Sequence, residues 1–207
     1  MSVTLIAPAT QTALTTIAAV RRDLGRSADA PPDDATFAAA IAQASAAICS
    51  WCCRTFALET VRETVHLTAP SSVLLLSRWP INGELVSIQT EGGAIPINQV
   101  EVENPAILYL LDANGRRRPW PAGRVSVEYD AGYILPGDPG RTLPHDIERA
   151  AILLAKGLIQ AVGRDVSIKS ETLNDIGSWT YGTSGLSCAV TGEVEGLLAL
   201  HRVWGIV

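Results

Sequence analysis

The sequence predicts an α+β fold, in which a helical-bundle-like core carries an inserted small antiparallel β module and ends in a C-terminal arm plus a terminal helix. Apolar residues recur at intervals of three and four before residue 57 and again after Pro144, which indicates amphipathic helices. From about Leu58, apolar and polar residues alternate, which indicates strands. A cluster of helix breakers, Pro136 to Gly140, separates this β pattern from the helix that follows.

The composition limits the class of protein. The chain has 207 residues, 47% hydrophobic and 18% charged, with a mean hydropathy of +0.21. It therefore has enough apolar surface for a substantial core and is not a disordered chain. Its net charge of −5 argues against a freely diffusing nucleic-acid binder. We expect neither a signal peptide nor a membrane partner, because the N-terminus lacks a basic region and the most apolar run, Ala150 to Val162, is short.

Residues 1–57 are predicted to be the N-terminal helical part. A first helix covers Leu14 to Gly25, with Thr15 as its cap. A second, longer helix begins at the Pro31-Pro32 pair. Its apolar stripe is Phe37, Ile41, Ala44, Ile48 and Trp51. Eight of the thirteen residues from Ala35 to Ala47 are alanine, so neighbouring helices can approach this helix closely.

Residues 58–133 are predicted to form the β module, compact and separable from the helical part. Within it we expect alternating strand residues at Val61, Glu63 and Val65, an apolar run at Val73–Leu76, and short strands at Leu85–Gln89, Ile95–Ile97, Ile107–Leu111 and Val125–Tyr129. Asn82-Gly83 and Asn114-Gly115 are strong turn signals.

Residues 134–163 are predicted to complete the helical part with one long helix, whose stripe is Ile147, Ala151, Leu154, Leu158 and Ala161. Residues 164–207 are then an extended, polar arm followed by a C-terminal helix that runs from a Thr191 cap to Trp204. The arm contains apolar residues that could anchor it on a partner, namely Ile176, Trp179 and Tyr181.

The residues with reactive side chains do not form a recognisable catalytic or metal site. Cys49, Cys52 and Cys53 crowd the end of a predicted helix, where the helix dipole opposes thiolate formation, and Cys188 supplies no second ligand pair. We interpret these cysteines as buried, small apolar residues with structural roles. The three histidines, His66, His145 and His201, match no catalytic motif. We therefore expect no catalytic residue, no bound metal and no cofactor.

Two other features are candidate contact sites. Arg116, Arg117 and Arg118 follow a predicted turn, where they could contact DNA phosphates or an acidic partner, or simply form a solvated hairpin tip. The chain ends on an apolar tail that includes Trp204, Ile206 and Val207. Such a tail should be covered, either by the chain's own core or by a groove on a partner.

The ordered series of motifs resembles the head–tail connector, or head-completion adaptor, proteins of tailed bacteriophages, which have relatives in prophages and gene transfer agents. The resemblance covers nearly the whole chain. The matching stretches are Leu14 to Gly25, the alanine-rich helix ending in Trp51 to Phe56, Leu74 to Pro80, Val125 to Tyr133, Leu143 to Ile147, Gly163 to Asp165 and the arm from Ser170 to Gly182. The additional cysteines and the Trp-ended tail depart from the pattern.

The resemblance implies a structural role with no enzymatic activity and no cofactor. Such proteins form rings, usually of twelve copies, between the portal protein and a stopper or tail-end protein, and DNA passes through the lumen without sequence recognition. It also implies assembly in the cytoplasm of the producing bacterium, and then a place in the neck of the particle. The runner-up is another neck connector, such as a stopper or terminator. A small thiol- or metal-dependent enzyme would rest on the cysteines alone.

Overall fold

The chain divides into two compact units, one made of strands and one dominated by helices. The computed structural model describes residues 1–27, 31–103, 105–161, 170–173, 177–180 and 192–203. The β unit comprises residues 1–11 and 56–134, and the helical unit comprises residues 12–55 and 135–207. Together they form an α+β fold, as predicted.

The β unit contains two antiparallel sheets. Its strands are β1 (Ser2–Ala7), β2 (Glu59–Leu67), β3 (Leu74–Leu75), β4 (Ile81–Thr90), β5 (Gly93–Ala94), β6 (Val100–Glu103), β7 (Ile107–Leu111), β8 (Arg117–Arg118) and β9 (Gly123–Ala131). The larger sheet has the order β1-β2-β9-β4-β5. The smaller has the order β3-β7-β6, with β8 paired to β7.

Alternation along the central strand β9 explains the core of this unit. Val125, Val127 and Tyr129 are fully buried, whereas the residues between them are only partly buried. On β7, Leu108 and Leu110 alternate in the same way. These side chains pack around the buried ring of Trp120, whose indole N–H donates to the Leu108 carbonyl at 3.1 Å.

Three sequence-based predictions for the β unit were wrong. The N-terminus belongs to the β unit and not to the helical part, because β1 pairs with β2 and places residues 1–11 there. Asn82-Gly83 is not a turn, because it lies inside β4 at a register shift, where Gly83 has a φ of +86°. Residues 95–97 are not a strand, since a 3₁₀ turn begins at Ile97.

The helical unit contains four helices among the described residues: α1 (Ile17–Asp23), α2 (Asp34–Cys52), α3 (His145–Ala161) and α4 (Gly192–Leu198), with a 3₁₀ turn at Ala199–His201. Thr16 caps α1 instead of the predicted Thr15, and its hydroxyl accepts from the Ala19 N–H at 3.2 Å. Asp33 caps α2 in the same manner. The last helix ends at Leu198, short of the predicted Trp204.

The alanine-rich helix α2 is the central core helix of this unit. By length and composition it could cross a membrane, a test that buried core helices also pass. Its stripe of Phe37, Ile41, Ala44 and Ile48 is buried, and α2 packs on α1 and α3. The buried Ser45 hydroxyl accepts from the Leu14 N–H at 3.0 Å, which fixes the segment before α1 on this face. We infer that the apolar composition of α2 serves internal packing.

Candidate assembly surfaces

The cysteines lie at the C-terminal end of α2, as predicted, but they do not share one environment. Cys52 is buried, Cys49 is half-buried and Cys53 is exposed, so the interpretation of all three as buried residues was wrong for Cys53. Burial raises the pKa of the Cys52 thiol to about 11, so at neutral pH it stays protonated. Within the described residues, no group of three or more His, Cys, Asp or Glu side chains could hold a metal ion.

The three histidines lie in three different places among the described residues. His66 is exposed on β2. His145 lies at the start of α3, where its Nδ1 is 2.9 Å from Nη2 of Arg141. His201 lies on the 3₁₀ turn, with its Nε2 at 2.7 Å from Oδ2 of Asp146. The latter pair ties the end of the terminal segment to the first turn of α3.

The three arginines of the predicted tip lie around the turn between β7 and β8, and all three are exposed. The guanidinium of Arg117 donates two hydrogen bonds to Glu101, at 2.9 and 3.0 Å, and lies 3.4 Å from the centre of the Tyr109 ring. Its charge is thus largely compensated, and the arginine holds the pKa of the Glu101 carboxyl below its ordinary value.

The other two arginines of this tip have different roles. Arg118 donates from Nε to the Leu111 carbonyl at 3.1 Å. The backbone N–H of Arg116 donates to Oδ1 of Asp112 at 2.9 Å, and its carbonyl accepts from the Asp112 N–H at 2.8 Å. Within the described part of the chain, the Arg116 guanidinium has no hydrogen bond or ion pair. Arg116 is therefore the member of the trio best placed to meet an external anion.

The segment after α4 docks on its own helical unit up to residue 203. The Val203 N–H donates to the Cys52 carbonyl at 2.9 Å, and the guanidinium of Arg202 lies 4.9 Å from the centre of the Trp51 ring. Leu200, which precedes these anchors, is 89% exposed. The predicted interface residues Trp204, Ile206 and Val207 lie outside the described residues.

The arm contains a β-hairpin, where the sequence had suggested an extended segment. Strand β10 (Ser170–Leu173) pairs antiparallel with β11 (Gly177–Thr180), and Trp179 stands opposite Glu171. These two strands form a sheet of their own. Ile176 and Tyr181 lie outside the described residues, and for Trp179 the structure describes only the backbone position.

Sequence reasoning missed one surface, the edge strand β1. All six of its residues are exposed, and three of them are large and apolar: Val3 is 39%, Leu5 50% and Ile6 42% exposed. The run Val3-Thr4-Leu5-Ile6 is rich in β-branched residues and bounded by Pro8, which is a strand signal. The lack of signal-peptide features in this run does not indicate whether it forms a strand.

Comparison with known proteins gives matches in structure alone. No known family's sequence profile matches the chain, and no curated protein does. A chain in the neck of an empty gene transfer agent (GTA) particle, computed with C6 symmetry, is 18% identical, with a TM-score of 0.57 and coverage of 100% of this chain and 98% of that chain. Two further matches come from the neck of the native GTA particle, computed with C12 symmetry, and from the virion of the native particle. Identity and coverage are the same, and the TM-scores are 0.55 and 0.54. Over its full length, this chain therefore has the fold of chains found in GTA particles.

Proposed function

We propose that this protein is a structural component of the neck of a phage-like particle, an adaptor ring that joins the portal to the stopper or tail and forms part of the DNA conduit. The observation that carries the proposal is the full-length match to chains of GTA necks, at 100% and 98% coverage. If this protein and the GTA chain shared only one domain, part of at least one chain would lie outside the match. Here the helical unit, the β unit and the terminal segments are all included.

The chemistry of the described residues supports a structural role. The buried thiol of Cys52 is held in its unreactive form, and the contact of His201 with Asp146 joins two structural segments. The described residues instead include an uncharged edge strand on the surface and an arm that contains a hairpin. The role needs no cofactor and no catalytic residue. Its partners are further copies of the chain, the portal protein, and a stopper or tail-end protein. Assembly takes place in the cytoplasm of the producing cell.

The test is the order of assembly on DNA-filled heads that carry a portal and no other neck protein. An adaptor binds these heads directly and appears beneath the portal as a ring in symmetry-averaged electron micrographs. A stopper binds only after another neck protein has been added, and a terminator binds the tail end instead. Either of these results would overturn the adaptor assignment.

Within this function, the arm and the tail carry the contact with the portal. Trp179, near the end of the hairpin, is the strongest candidate anchor in the arm, because large aromatic side chains in partner pockets typically contribute about 2 kcal/mol or more. Repetition around a ring adds avidity, so each contact can be weak. Trp179→Ala is expected to release the protein from heads, whereas Ser178→Ala, its neighbour on β11, retains binding. Equal retention of both variants would exclude Trp179 as an anchor on the portal.

The tail is tested by truncation after Val203, which removes Trp204, Ile206 and Val207 and keeps the anchors on α2. If the truncated protein folds and still binds heads as the full chain does, the tail residues are not part of the portal contact. Loss of head binding by a folded truncated protein assigns them to it.

A further inference from the structure

Among the described residues, the outer edge of β1 has no strand partner. The strand pairs with β2 on one side, and no described strand lies on the other. An edge strand presents unpaired backbone N–H and C=O groups, and natural proteins usually protect it with charges, proline or a covering segment. Residues Ser2 to Ala7 contain no charge and no proline. The strand itself therefore carries neither charge nor proline to protect this edge.

The apolar side chains of β1 continue the core face of the sheet. Val3 stands opposite Glu63 and Leu5 opposite Val61, and both of these β2 residues are completely or almost completely buried. Because opposite residues in an antiparallel pair point to the same face, Val3 and Leu5 extend that face to the margin of the sheet. There they remain 39% and 50% exposed. A further strand beside β1 would cover them.

Part of the opposite edge of the same sheet also has no strand neighbour among the described residues. Strand β5 pairs only with Gln89 and Thr90 of β4. Beyond these, Ile88 accepts a hydrogen bond from the Ile95 N–H, and Ile81 donates one to the Pro105 carbonyl. Between Ile81 and Ile88, residues 82–87 have no strand on their outer side within the described residues; the register of this stretch with β9 shifts twice, and it contains one charged residue, Glu84. Val86 in this stretch is 48% exposed.

The directions of the strands make the two edges compatible. Strands β1, β2, β9 and β4 are each antiparallel to the next, so β1 and β4 run in opposite directions. A rotation about an axis along the strands preserves direction and places β1 of one copy antiparallel to β4 of the next. Such a head-to-tail contact repeats and can close into a ring, whereas pairing of two β1 strands would stop at a dimer.

We propose that β1 of one copy docks on the free edge of β4, residues 82–87, in the next copy, so that the β units form a continuous sheet around the ring. The occupant is a second copy of this chain, since the two edges are compatible in direction, β1 carries no charge, and both edges have exposed apolar side chains. The inference rests on the proposed function, which supplies the rotational symmetry. To the proposed ring, the inference adds the surface and the strand pairing that hold adjacent copies together.

Crosslinking tests the pairing. Val3→Cys and Val86→Cys are made separately in a background with Cys53→Ser and Cys188→Ser, given tags of different mass, and treated with a flexible bismaleimide. The treatment is applied to concentrated protein and to protein bound to portal-bearing heads. We expect a product that joins the two variants when they are mixed, and none from either variant alone or from the background protein. Products from Val3→Cys alone would show β1–β1 pairing and overturn the proposal, as would no mixed product in either preparation.

A charge on the edge provides a second test with a matched control. Leu5→Lys places an ammonium group where the next strand would desolvate it, so self-association should weaken about tenfold or more. Leu75→Lys makes the same change at a residue that is 57% exposed on β3, in the other sheet, and should assemble normally. Normal assembly of Leu5→Lys would contradict the inference. Head binding by the unmodified protein is measured separately, so the proposed function can stand when this pairing fails.

Discussion

The hydroxyl of Tyr129 donates a hydrogen bond to Oε2 of Glu63 at 2.8 Å, and both residues are completely buried in the β unit. The same carboxylate accepts from the Ser77 N–H at 2.9 Å and from the Ser77 hydroxyl at 3.0 Å. A buried carboxylate is costly unless its oxygens are satisfied. Neighbouring strands β2 and β9 therefore share one polar cluster with the segment after β3, which holds that segment against the larger sheet.

Tyr129→Phe is expected to destabilise the protein by about 2 kcal/mol, because it removes a hydrogen bond to a completely buried carboxyl group and leaves the cavity shape almost unchanged. Urea unfolding at neutral pH measures the change. Thr64→Val, on the part-buried Thr64–Ser126 pair of the same two strands, is the control and should cost less. A destabilisation by Tyr129→Phe no larger than that of the control would contradict this role.

The same tyrosine should make stability depend on alkaline pH. Burial, and then the hydrogen bond to Glu63, raise the pKa of Tyr129 above its ordinary value of 10.0. In the unfolded chain the phenol ionises near pH 10, whereas in the folded chain it stays protonated, so its contribution is complete below pH 10 and declines as the pH rises further. The stability difference between the unmodified protein and Tyr129→Phe should shrink above pH 10. A constant difference would contradict the raised pKa.

Gly132→Ala should strongly destabilise the β unit. Gly132 has a φ of +113°, and a Cβ there would lie 2.3 Å from the Ala57 carbonyl oxygen, which is a backbone atom that cannot move aside locally. Gly93→Ala is a matched control, because its φ is +114° and nothing lies within 4 Å of the added Cβ. The difference between the two variants in thermal unfolding isolates the steric overlap from the backbone strain. Equal destabilisation would mean that strain alone accounts for both.

The helices were predictable because their signals are local. The stripe from Phe37 to Ile48 and the proline before His145 specify α2 and α3 within a few turns of chain. Strand β7 was predicted with its bounds, since Ile107 to Leu111 is a short apolar run between turn signals.

What the sequence did not reveal depends on contacts between distant residues. Ser2 pairs with Thr64, so no neighbour in sequence indicates that β1 has a partner. Asn82-Gly83 would form a turn in isolation, but pairing of β4 with β9 incorporates it as an irregularity. The compensation of Arg117 by Glu101 likewise follows from the alignment of β6 and β8 on either side of β7.

The cysteines should differ widely in reactivity. Cys53 is exposed, whereas Cys52 is buried with a pKa of about 11. At neutral pH a maleimide should label Cys53 rapidly and Cys52 only on unfolding, because the thiolate is the reactive form and access is also needed. Peptide mass spectrometry after timed labelling distinguishes the sites. Cys53→Ser should leave stability and assembly unchanged. Rapid labelling of Cys52 in the folded protein, or stoichiometric bound zinc, would contradict a structural role.

Two truncations should separate folding from assembly. Ending the chain after Leu200 removes the His201–Asp146 contact, the Arg202–Trp51 contact and the hydrogen bond from Val203 to Cys52, so the helical unit should lose stability. Ending it after Val203 keeps all three contacts and should leave the unfolding midpoint nearly unchanged. Circular dichroism melts measure both. A midpoint equally high for the shorter chain would show that these anchors contribute little.

If the turn between β7 and β8 meets DNA, the contact should depend on Arg116. The guanidinium of Arg117 is occupied by Glu101 and the Tyr109 ring, and that of Arg118 by the Leu111 carbonyl, whereas Arg116 is exposed and has no such contact among the described residues. When one phosphate interaction is removed, the slope of log affinity against log salt concentration becomes shallower by about 0.9. Arg116→Gln should therefore weaken sequence-independent DNA binding by the assembled protein and reduce its salt dependence.

The control for the turn is the double variant Arg117→Gln with Glu101→Gln, which removes an arginine and keeps the net charge. Its DNA binding should match that of the unmodified protein, because the Arg117 charge is already compensated within the sheet. Binding is measured by fluorescence anisotropy with DNA duplexes of unrelated sequence at several salt concentrations. Unchanged slopes for both variants would mean that the turn does not face the DNA, whereas a larger effect of the double variant would assign the contact to Arg117.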